Sequence, residues 1–239
     1  MKITGAEAIM KCLKEQNVDV IFGFPGGVLL DLYDEIMRNE ELTHVLVRHE
    51  QAATPAADGY ARATGKAGVV LVTSGPGATN AITGIATAFM DSIPMVVITG
   101  QADRERQHKE SNQSMDVVAM MQPVTRWSHS VLLPDNIPEV VRKAFKMAQT
   151  EKPGVSFIAL PENVAAQEVE GHPPLLVQHA MEPAPPPGKV RAAAEIIPNA
   201  RAPVILGGIG VIRGLAASAP AAVADEVTLP VTAPSRAQR

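Results

Sequence analysis

An uncharged stretch of 24 residues, from position 67 to position 90, constrains the fold of this chain more than any other feature. Its length alone would suit a membrane-spanning helix, but Ser74-Gly75-Pro76-Gly77 interrupts it, and Thr and Asn residues follow. A short apolar run before a Gly-rich turn and a longer one after it are typical of a buried strand followed by a buried helix. We therefore expect a soluble, cytoplasmic α/β protein without a membrane span.

The rest of the chain repeats this alternation of strand and helix. Thr4 and Glu7 have the spacing of a capping box ahead of an amphipathic helix, and Asn136 with Glu139 forms a second cap pair. Strands are predicted at residues 18–22, 44–47, 68–73, 94–99 and 155–160, and helices at 28–37, 50–64, 135–149 and from the Gly-rich turn to about 90. This order predicts a doubly wound parallel sheet with right-handed crossovers.

Proline content divides the chain into domains. Residues 1–165 carry the alternating pattern, and residues 166–188 form a Pro-rich linker that includes Pro185-Pro186-Pro187. Residues 189–239 begin a second α/β pattern, with a helix at 190–197 and strands at 203–206 and 227–231. This remainder is too short for a doubly wound sheet that folds alone. We expect a truncated second domain.

Charge and residue counts exclude several function classes. The chain has 21 Lys and Arg against 25 Asp and Glu, and its basic residues are not clustered, so nucleic acid is not an expected partner. The six histidines lack the spacing of metal ligands, and no metal site is predicted. The single cysteine, Cys12, lies in an amphipathic pattern, which favours a small core residue over a reactive thiol.

Three segments could carry chemistry, although each also has a plain structural interpretation. Phe24-Pro25-Gly26-Gly27 follows a strand, where ligands collect in open α/β sheets, but it could be an ordinary turn. Ser74-Gly75-Pro76-Gly77 could bind an anion at a helix N-terminus, or only join a strand to a helix. Glu50 begins a helix after a strand, where a carboxylate commonly only complements the helix dipole.

In this order and spacing, the three segments resemble the thiamine-diphosphate enzymes of the acetolactate synthase (acetohydroxyacid synthase) group. The resemblance covers residues 1 to about 165 and resumes at 202–213. It implies a pyrimidine-binding domain followed by the start of a central domain. It also implies the condensation of two pyruvates to 2-acetolactate with loss of carbon dioxide, a 2-oxo acid as substrate, and a homodimer or tetramer.

The resemblance also implies roles for individual residues. Glu50 would hydrogen-bond N1′ of the aminopyrimidine, Gly27 would lie close to the reacting carbon, and Gln113 would reach the site from a loop. The residues expected to bind the cofactor are Pro25, Gly26, Glu50, Thr73, Pro76 and Asn80. Nearly uncharged, Ala-rich segments at 52–63 and 78–88 predict helices with more than one buried face, which favours self-association.

Two departures from the family pattern limit these expectations. Asn112-Gln113-Ser114 stands where the family usually has Phe-Gln-Glu, which favours the flavin-free type, and Gly208-Ile209-Gly210 with Arg213 is interpreted as a turn in preference to a contact with FAD. The family's Gly-Asp-Gly motif, which binds Mg²⁺ and the diphosphate, is absent from these 239 residues. The chain alone is therefore expected to be inactive. Another thiamine-dependent 2-oxo acid decarboxylase or carboligase, and a non-catalytic subunit that depends on a partner, remain alternatives.

Overall fold

The computed structural model describes residues 2–107, 109–171, 173–177, 184–213, 216 and 218–233. The chain divides into two compact units, residues 1–180 and residues 181–239. Within the described residues, no helix has both the length and the apolar character needed to cross a bilayer. The domain boundaries at residues 165 and 188 stay predictions.

Two sheets organise the first unit. Strands β1 (Lys2–Thr4) and β8 (Glu168–Glu170) form an antiparallel pair, although residues 168–170 belong to the predicted linker. The main sheet is parallel and has the order β3-β2-β4-β5-β7-β6. Its strands are β2 (Val20–Phe24), β3 (Thr43–Leu46), β4 (Gly68–Val72), β5 (Met95–Gln101), β6 (Trp127–Ser130) and β7 (Val155–Pro161). This confirms the predicted α/β class with its parallel sheet.

Helices cover both faces of the main sheet. One core contains apolar side chains of α1, α2 and α6, and the other contains those of α3, α4 and α5. The helices are α1 (Gly5–Glu15), α2 (Leu30–Arg38), α3 (Glu50–Thr64), α4 (Pro76–Met90), α5 (Val117–Met121), α6 (Ile137–Gln149) and α7 (Glu162–Ala166). Aliphatic side chains dominate both cores, as expected for a parallel sheet that is covered on both faces.

Local capping signals were mostly correct. The Glu7 amide donates to Thr4 Oγ1 at 3.1 Å, and α3 ends at Gly65 in the left-handed conformation with φ of 75°. The prediction for Asn136 was wrong, because its side chain forms no cap hydrogen bond with α6. A 3-10 turn, Pro134–Asn136, precedes α6 and gives Asn136 helical dihedral angles, whereas a capping side chain needs extended backbone.

Cys12 lies in the core, on α1. It is 4 % exposed, and burial raises the pKa of its thiol to about 12, with a smaller contribution from the charge of Glu15. A thiol that stays protonated in an apolar environment is unreactive. The structure therefore agrees with the interpretation of Cys12 as a small core residue.

The second unit contains short elements. Helix α8 (Pro187–Asn199) begins inside the predicted linker, with proline in its first turn. It is followed by β9 (Ile205–Leu206), α9 (Ile209–Arg213), α10 (Ser218–Val227) and β10 (Val231–Thr232), and β9 pairs with β10 in parallel. The predicted strand at 227–231 was wrong, because Val227 ends α10 and the strand starts only at Val231.

Candidate functional site

The strand order creates a crevice at the carboxyl ends of β2 and β4. From β2 the chain passes to β3 on one side, and it then returns to β4 on the other side. In open parallel sheets such a reversal separates the turns that follow the two strands, and ligands bind between them. The turn at Pro25-Gly26-Gly27 and the turn at Thr73-Ser74-Gly75 both end at this crevice.

The two turns contact each other through Gly26 and Thr73. A Cβ atom added to Gly26 would lie 2.2 Å from Thr73 Oγ1 and 2.4 Å from Thr73 Cβ, so a larger residue than glycine does not fit. Gly27 has the opposite environment. It is exposed, and a Cβ atom added there would have no described atom within 4 Å. The crevice is thus closed at Gly26 and open at Gly27.

Glu50 is the first residue of α3, and its carboxylate is held from α4. Asn80 Nδ2 donates a hydrogen bond to Glu50 Oε2 at 2.9 Å. The other oxygen, Oε1, lies beside Gly77, since a Cβ atom added to Gly77 would lie 3.5 Å from Oε1. The same Cβ atom would lie 2.6 Å from Thr73 Cγ2. Glycine at position 77 therefore keeps the approach to this carboxylate oxygen narrow but unobstructed.

Helix α3 begins at Glu50 because of His49. The backbone of His49 is extended, with φ of −158°, and its Nδ1 atom accepts a hydrogen bond from the Gln51 amide at 3.2 Å. His49 thereby caps the helix, a role in which a side-chain acceptor satisfies an amide of the first turn. Because His49 caps the helix, the Glu50 carboxylate is available for contacts across the crevice.

Gln113 reaches the crevice through its backbone. A Cβ atom added to Gly75 would lie 2.6 Å from the Gln113 carbonyl oxygen and 3.0 Å from its Cα atom, and Gly75 has a φ of 51°. Gln113 also has a positive φ, 57°, and is exposed. Both backbones therefore have a positive φ where they meet.

The contacts bring together five of the residues singled out from the sequence, namely Gly26, Glu50, Thr73, Asn80 and, through Gly75, Gln113. Pro25, Gly27 and Pro76 lie beside them in the chain and are exposed. Two residues were not among the predicted candidates. Gly77 lies beside Glu50 Oε1, and its signal was its place in the Ser74-Gly75-Pro76-Gly77 turn with the candidate Pro76. Gln101 bonds the segment before α5, and its signal was a polar residue at the end of an apolar strand.

Two hydroxyl groups in the turn after β4 are buried and lack a hydrogen-bond partner among the described residues. They are Thr73 Oγ1 and Ser74 Oγ, in residues that are 8 % and 0 % exposed. A buried hydroxyl without a partner is unfavourable, and a bound ligand or water is one way to satisfy it. Together with a carboxylate, an amide and glycines that let a ring approach the backbone, these groups suit a flat heterocycle with hydrogen-bonding nitrogen atoms.

No cluster of His, Cys, Asp or Glu suited to a metal ion occurs in the part of the chain that the structure describes. Three histidines have other contacts: His44 with the Tyr33 hydroxyl, His49 with the Gln51 amide, and His129 with the Trp127 ring. The remaining three, His108, His172 and His179, lie outside the described residues.

Comparison with known proteins gives two results. Residues 3–120 match the family described as "Thiamine pyrophosphate enzyme, N-terminal TPP binding domain". The acetolactate synthase large subunit of Buchnera aphidicola subsp. Schizaphis graminum is 42 % identical over an alignment of 242 positions, and the match covers 96 % of this chain and 41 % of the relative.

Two further relatives are similar to this chain over nearly all of its length. The probable acetolactate synthase large subunit of Methanocaldococcus jannaschii is 41 % identical over 95 % of this chain and 39 % of its own length. The acetolactate synthase of Mycobacterium leprae is 41 % identical over 96 % of this chain and 37 % of its own length. The chain therefore spans about two fifths of the length of these relatives.

Proposed function

Residues 3–120 belong to the thiamine pyrophosphate enzymes, as their N-terminal TPP binding domain, and from this premise we propose that the chain provides the pyrimidine half of the thiamine diphosphate site of an acetolactate synthase. The observation that carries the proposal is the Glu50 carboxylate, held by Asn80 at the crevice between β2 and β4. The reaction would be the condensation of two pyruvates to 2-acetolactate with release of carbon dioxide.

The crevice residues fit an aminopyrimidine ring. Thiamine diphosphate, when bound, supplies the electron sink for loss of carbon dioxide from a 2-oxo acid. Glu50 would hold a proton at the ring nitrogen N1′, because Asn80 fixes its Oε2 atom while its Oε1 atom lies beside Gly77, where no side chain blocks it. Thr73 has a buried hydroxyl that a ring substituent could satisfy. Gly26 and Gly77 keep the backbone within reach of the ring.

The anionic end of the cofactor requires residues beyond these. A diphosphate binds through Mg²⁺ and oxygen ligands, and the Gly-Asp-Gly motif that holds them in the family is absent from this sequence. We propose that this chain alone binds thiamine diphosphate weakly and releases no carbon dioxide from pyruvate. Mg²⁺, a cytoplasmic location and the absence of bound FAD belong to the same proposal.

The half-site can be tested with the chain itself. The chain is titrated with thiamine while its amide NMR signals are monitored. The amide chemical shifts of Glu50, Gly77 and Asn80 should change. Glu50→Gln should remove most of this response, whereas Glu162→Gln should preserve it, because Glu162 also begins a helix after a parallel strand but lies after β7. Unchanged signals at these three positions would contradict the proposal. Calorimetric binding of thiamine diphosphate with Mg²⁺ at micromolar concentration would contradict the predicted weak affinity.

The reaction can be tested with a chimaera, in which this chain is followed by the part of the Methanocaldococcus jannaschii relative beyond the matched region. With thiamine diphosphate, Mg²⁺ and pyruvate, we expect acetolactate as the product. An aldehyde or another condensation product would favour a different thiamine-dependent decarboxylase or carboligase. A folded chimaera that binds the cofactor without turnover would favour the non-catalytic alternative.

We also propose that the chain pairs through α3 and α4. These helices pack against each other in one copy, and yet Ala52, Pro55 and Ala63 remain exposed and Met90 is 70 % exposed. A helix pair with few charges and apolar residues still facing outward suits a second copy. Light scattering should show a dimer or tetramer, and Thr83→Arg should shift it towards monomer. A strict monomer at high micromolar concentration would contradict the pairing.

A further inference from the structure

Gln101 is a buried polar residue at the carboxyl end of β5, and both atoms of its amide form hydrogen bonds. It is 5 % exposed. Its Nε2 atom donates to the Met115 carbonyl oxygen at 2.8 Å, and its Oε1 atom accepts from the Ala102 amide at 2.8 Å. The first bond connects the central sheet to a segment 14 residues further along the chain.

That segment, residues 109–116, is named here the Gln113 loop. Its carboxyl end is anchored at Met115, whose carbonyl oxygen accepts hydrogen bonds from Gln101 and from the Val117 amide, at 2.9 Å. Further towards its start, Ser111 Oγ donates to the Arg106 carbonyl oxygen at 2.8 Å. Between these points, the Gln113 backbone rests on Gly75. The loop is therefore held by Gln101 of β5 at one point and contacts Gly75, just before α4, at another.

The conformation of the loop requires such an anchor. Gln113 has a φ of 57°, in the left-handed region that residues other than glycine rarely adopt and that persists only where surrounding contacts enforce it. A buried amide that loses a partner is strongly unfavourable, so Gln101 disfavours loop positions that withdraw the Met115 carbonyl. The buried amide thus selects one position of the loop.

We propose that Gln101 is a positioning residue that sets where Gln113 presents its side chain at the cofactor crevice. This rests on the proposed function, since it takes Gln113 to act there. Gln101 lies two residues beyond Thr99 on β5 and acts through the Gln113 loop, by the bond to Met115. Its amide couples the position of the central sheet to the position of a loop that is otherwise exposed to solvent.

Limited proteolysis of the 239-residue chain tests the anchor. Gln101→Met keeps the length of the side chain and removes both hydrogen bonds. It should raise tryptic cleavage after Lys109, the cleavage site within the loop, about tenfold, the effect expected when the hydrogen bond to Met115 is lost. The control is Thr99→Val, which removes a fully buried hydroxyl without a described partner from the same strand and should leave cleavage unchanged. Equal cleavage in the wild type and Gln101→Met, or an equal rise in both variants, overturns the proposal.

A second substitution covers the case in which Gln101→Met does not fold. Gln101→Asn keeps a buried amide but shortens the side chain by one methylene, which withdraws the nitrogen from the Met115 carbonyl. It should loosen the loop while the amide NMR spectrum of the sheet stays native. A Gln101→Asn chain with wild-type cleavage contradicts the anchor.

Kinetics of the chimaera separate this inference from the proposed function. Gln101→Met and Gln113→Ala should lower kcat by similar factors with little change in cofactor affinity, and the double variant should resemble the single ones, because both disturb one group. If the loss of kcat in the double variant equals the product of the two single losses, the positioning role of Gln101 is overturned and the role of Gln113 stands. A normal kcat for Gln113→Ala overturns the proposed role of Gln113, and the positioning role with it, even if Gln101→Met loosens the loop.

Discussion

The side-chain amide of Asn80 donates a hydrogen bond of 2.9 Å to the carboxylate of Glu50, and this contact joins the first turn of α3 to the second turn of α4. The two residues are 30 positions apart in the chain. Helix N-termini carry a partial positive charge, so both helices stabilise a carboxylate at this position. The structure thereby gives Asn80 a partner within the protein, where the sequence analysis had expected a contact with the cofactor.

The first prediction concerns the carboxylate itself. Glu50→Gln in the chimaera should lower kcat by about 10²–10⁴-fold, the usual contribution of general acid–base catalysis, because the amide cannot exchange a proton with the ring. Affinity for thiamine diphosphate should fall less, since the diphosphate binds elsewhere. Steady-state kinetics with Glu162→Gln as the control make the comparison. Near-normal turnover of Glu50→Gln would remove Glu50 from this role.

The second prediction concerns the group that holds the carboxylate. Asn80→Leu removes the donor to Glu50 Oε2 at similar volume, and should lower the free energy of unfolding by about 1 kcal/mol, as for one hydrogen bond at a half-buried pair. Turnover of the chimaera should fall less than in Glu50→Gln, since the carboxylate remains. Urea unfolding and kinetics measure the two effects. Gln149→Leu, which replaces an exposed amide at the end of α6, should change neither, and a matching loss there would contradict a specific role for Asn80.

The third prediction compares two glycines, one in the close contact of α3 with α4 and one outside it. A Cβ atom on Gly84 would lie 2.0 Å from Thr54 Oγ1, so Gly84→Ala should lower the free energy of unfolding by about 1–3 kcal/mol through overpacking. Gly59, within α3, has no described atom within 4 Å of an added Cβ. Gly59 also lies on the exposed α3 face that is proposed to pair with a second copy, so this variant is compared in the Thr83→Arg background, where pairing is weakened. There, Gly59→Ala should raise the free energy of unfolding by about 0.5–1 kcal/mol, through the lower entropy of the unfolded chain. Thermal unfolding of both variants checks the opposite signs.

The fourth prediction concerns pH. Burial lowers the pKa of His44 below its usual 6.5, and burial with the charge of Lys143 lowers that of His129. As pH falls below 6.5, the unfolded imidazoles therefore bind protons before the folded ones do, and stability decreases through that window. Urea unfolding between about pH 7.5 and 5.5 should show this decline, and His44→Gln and His129→Gln should each flatten it. Parallel pH profiles in the wild type and both variants would contradict the assignment.

Where local signals decide the structure, the sequence was sufficient. Helix α3 has the predicted limits, because it ends at Gly65, and glycine adopts the left-handed conformation without help from distant residues. Thr4 caps α1 by a contact over three residues. The buried strand β4 follows from an apolar run between turn-forming residues. The Gly-rich turns after β2 and β4 were likewise visible in the sequence.

Where a partner distant in the chain decides the structure, the sequence was insufficient. Trp127–Ser130 has no strand-like alternation and becomes β6 by pairing with β7, and Lys2–Thr4 becomes β1 by pairing with residues 168–170. Val227 could belong to a strand or a helix by its type alone, and it ends α10. Each of these segments is short, so its conformation depends on tertiary pairing more than on propensity.

The same division holds for the candidate site. The sequence by itself determined which residue types stand at the ends of which strands: glycines after β2, a Ser-Gly-Pro-Gly turn after β4, and a carboxylate at the start of α3. Only the tertiary structure decided that Asn80 holds Glu50, that Gly75 seats Gln113, and that Gln101 binds the Met115 carbonyl. These contacts exist because the sheet places β2 beside β4 and β4 beside β5, and the order of strands in a sheet is set by the packing of the whole domain rather than by any local run of residues.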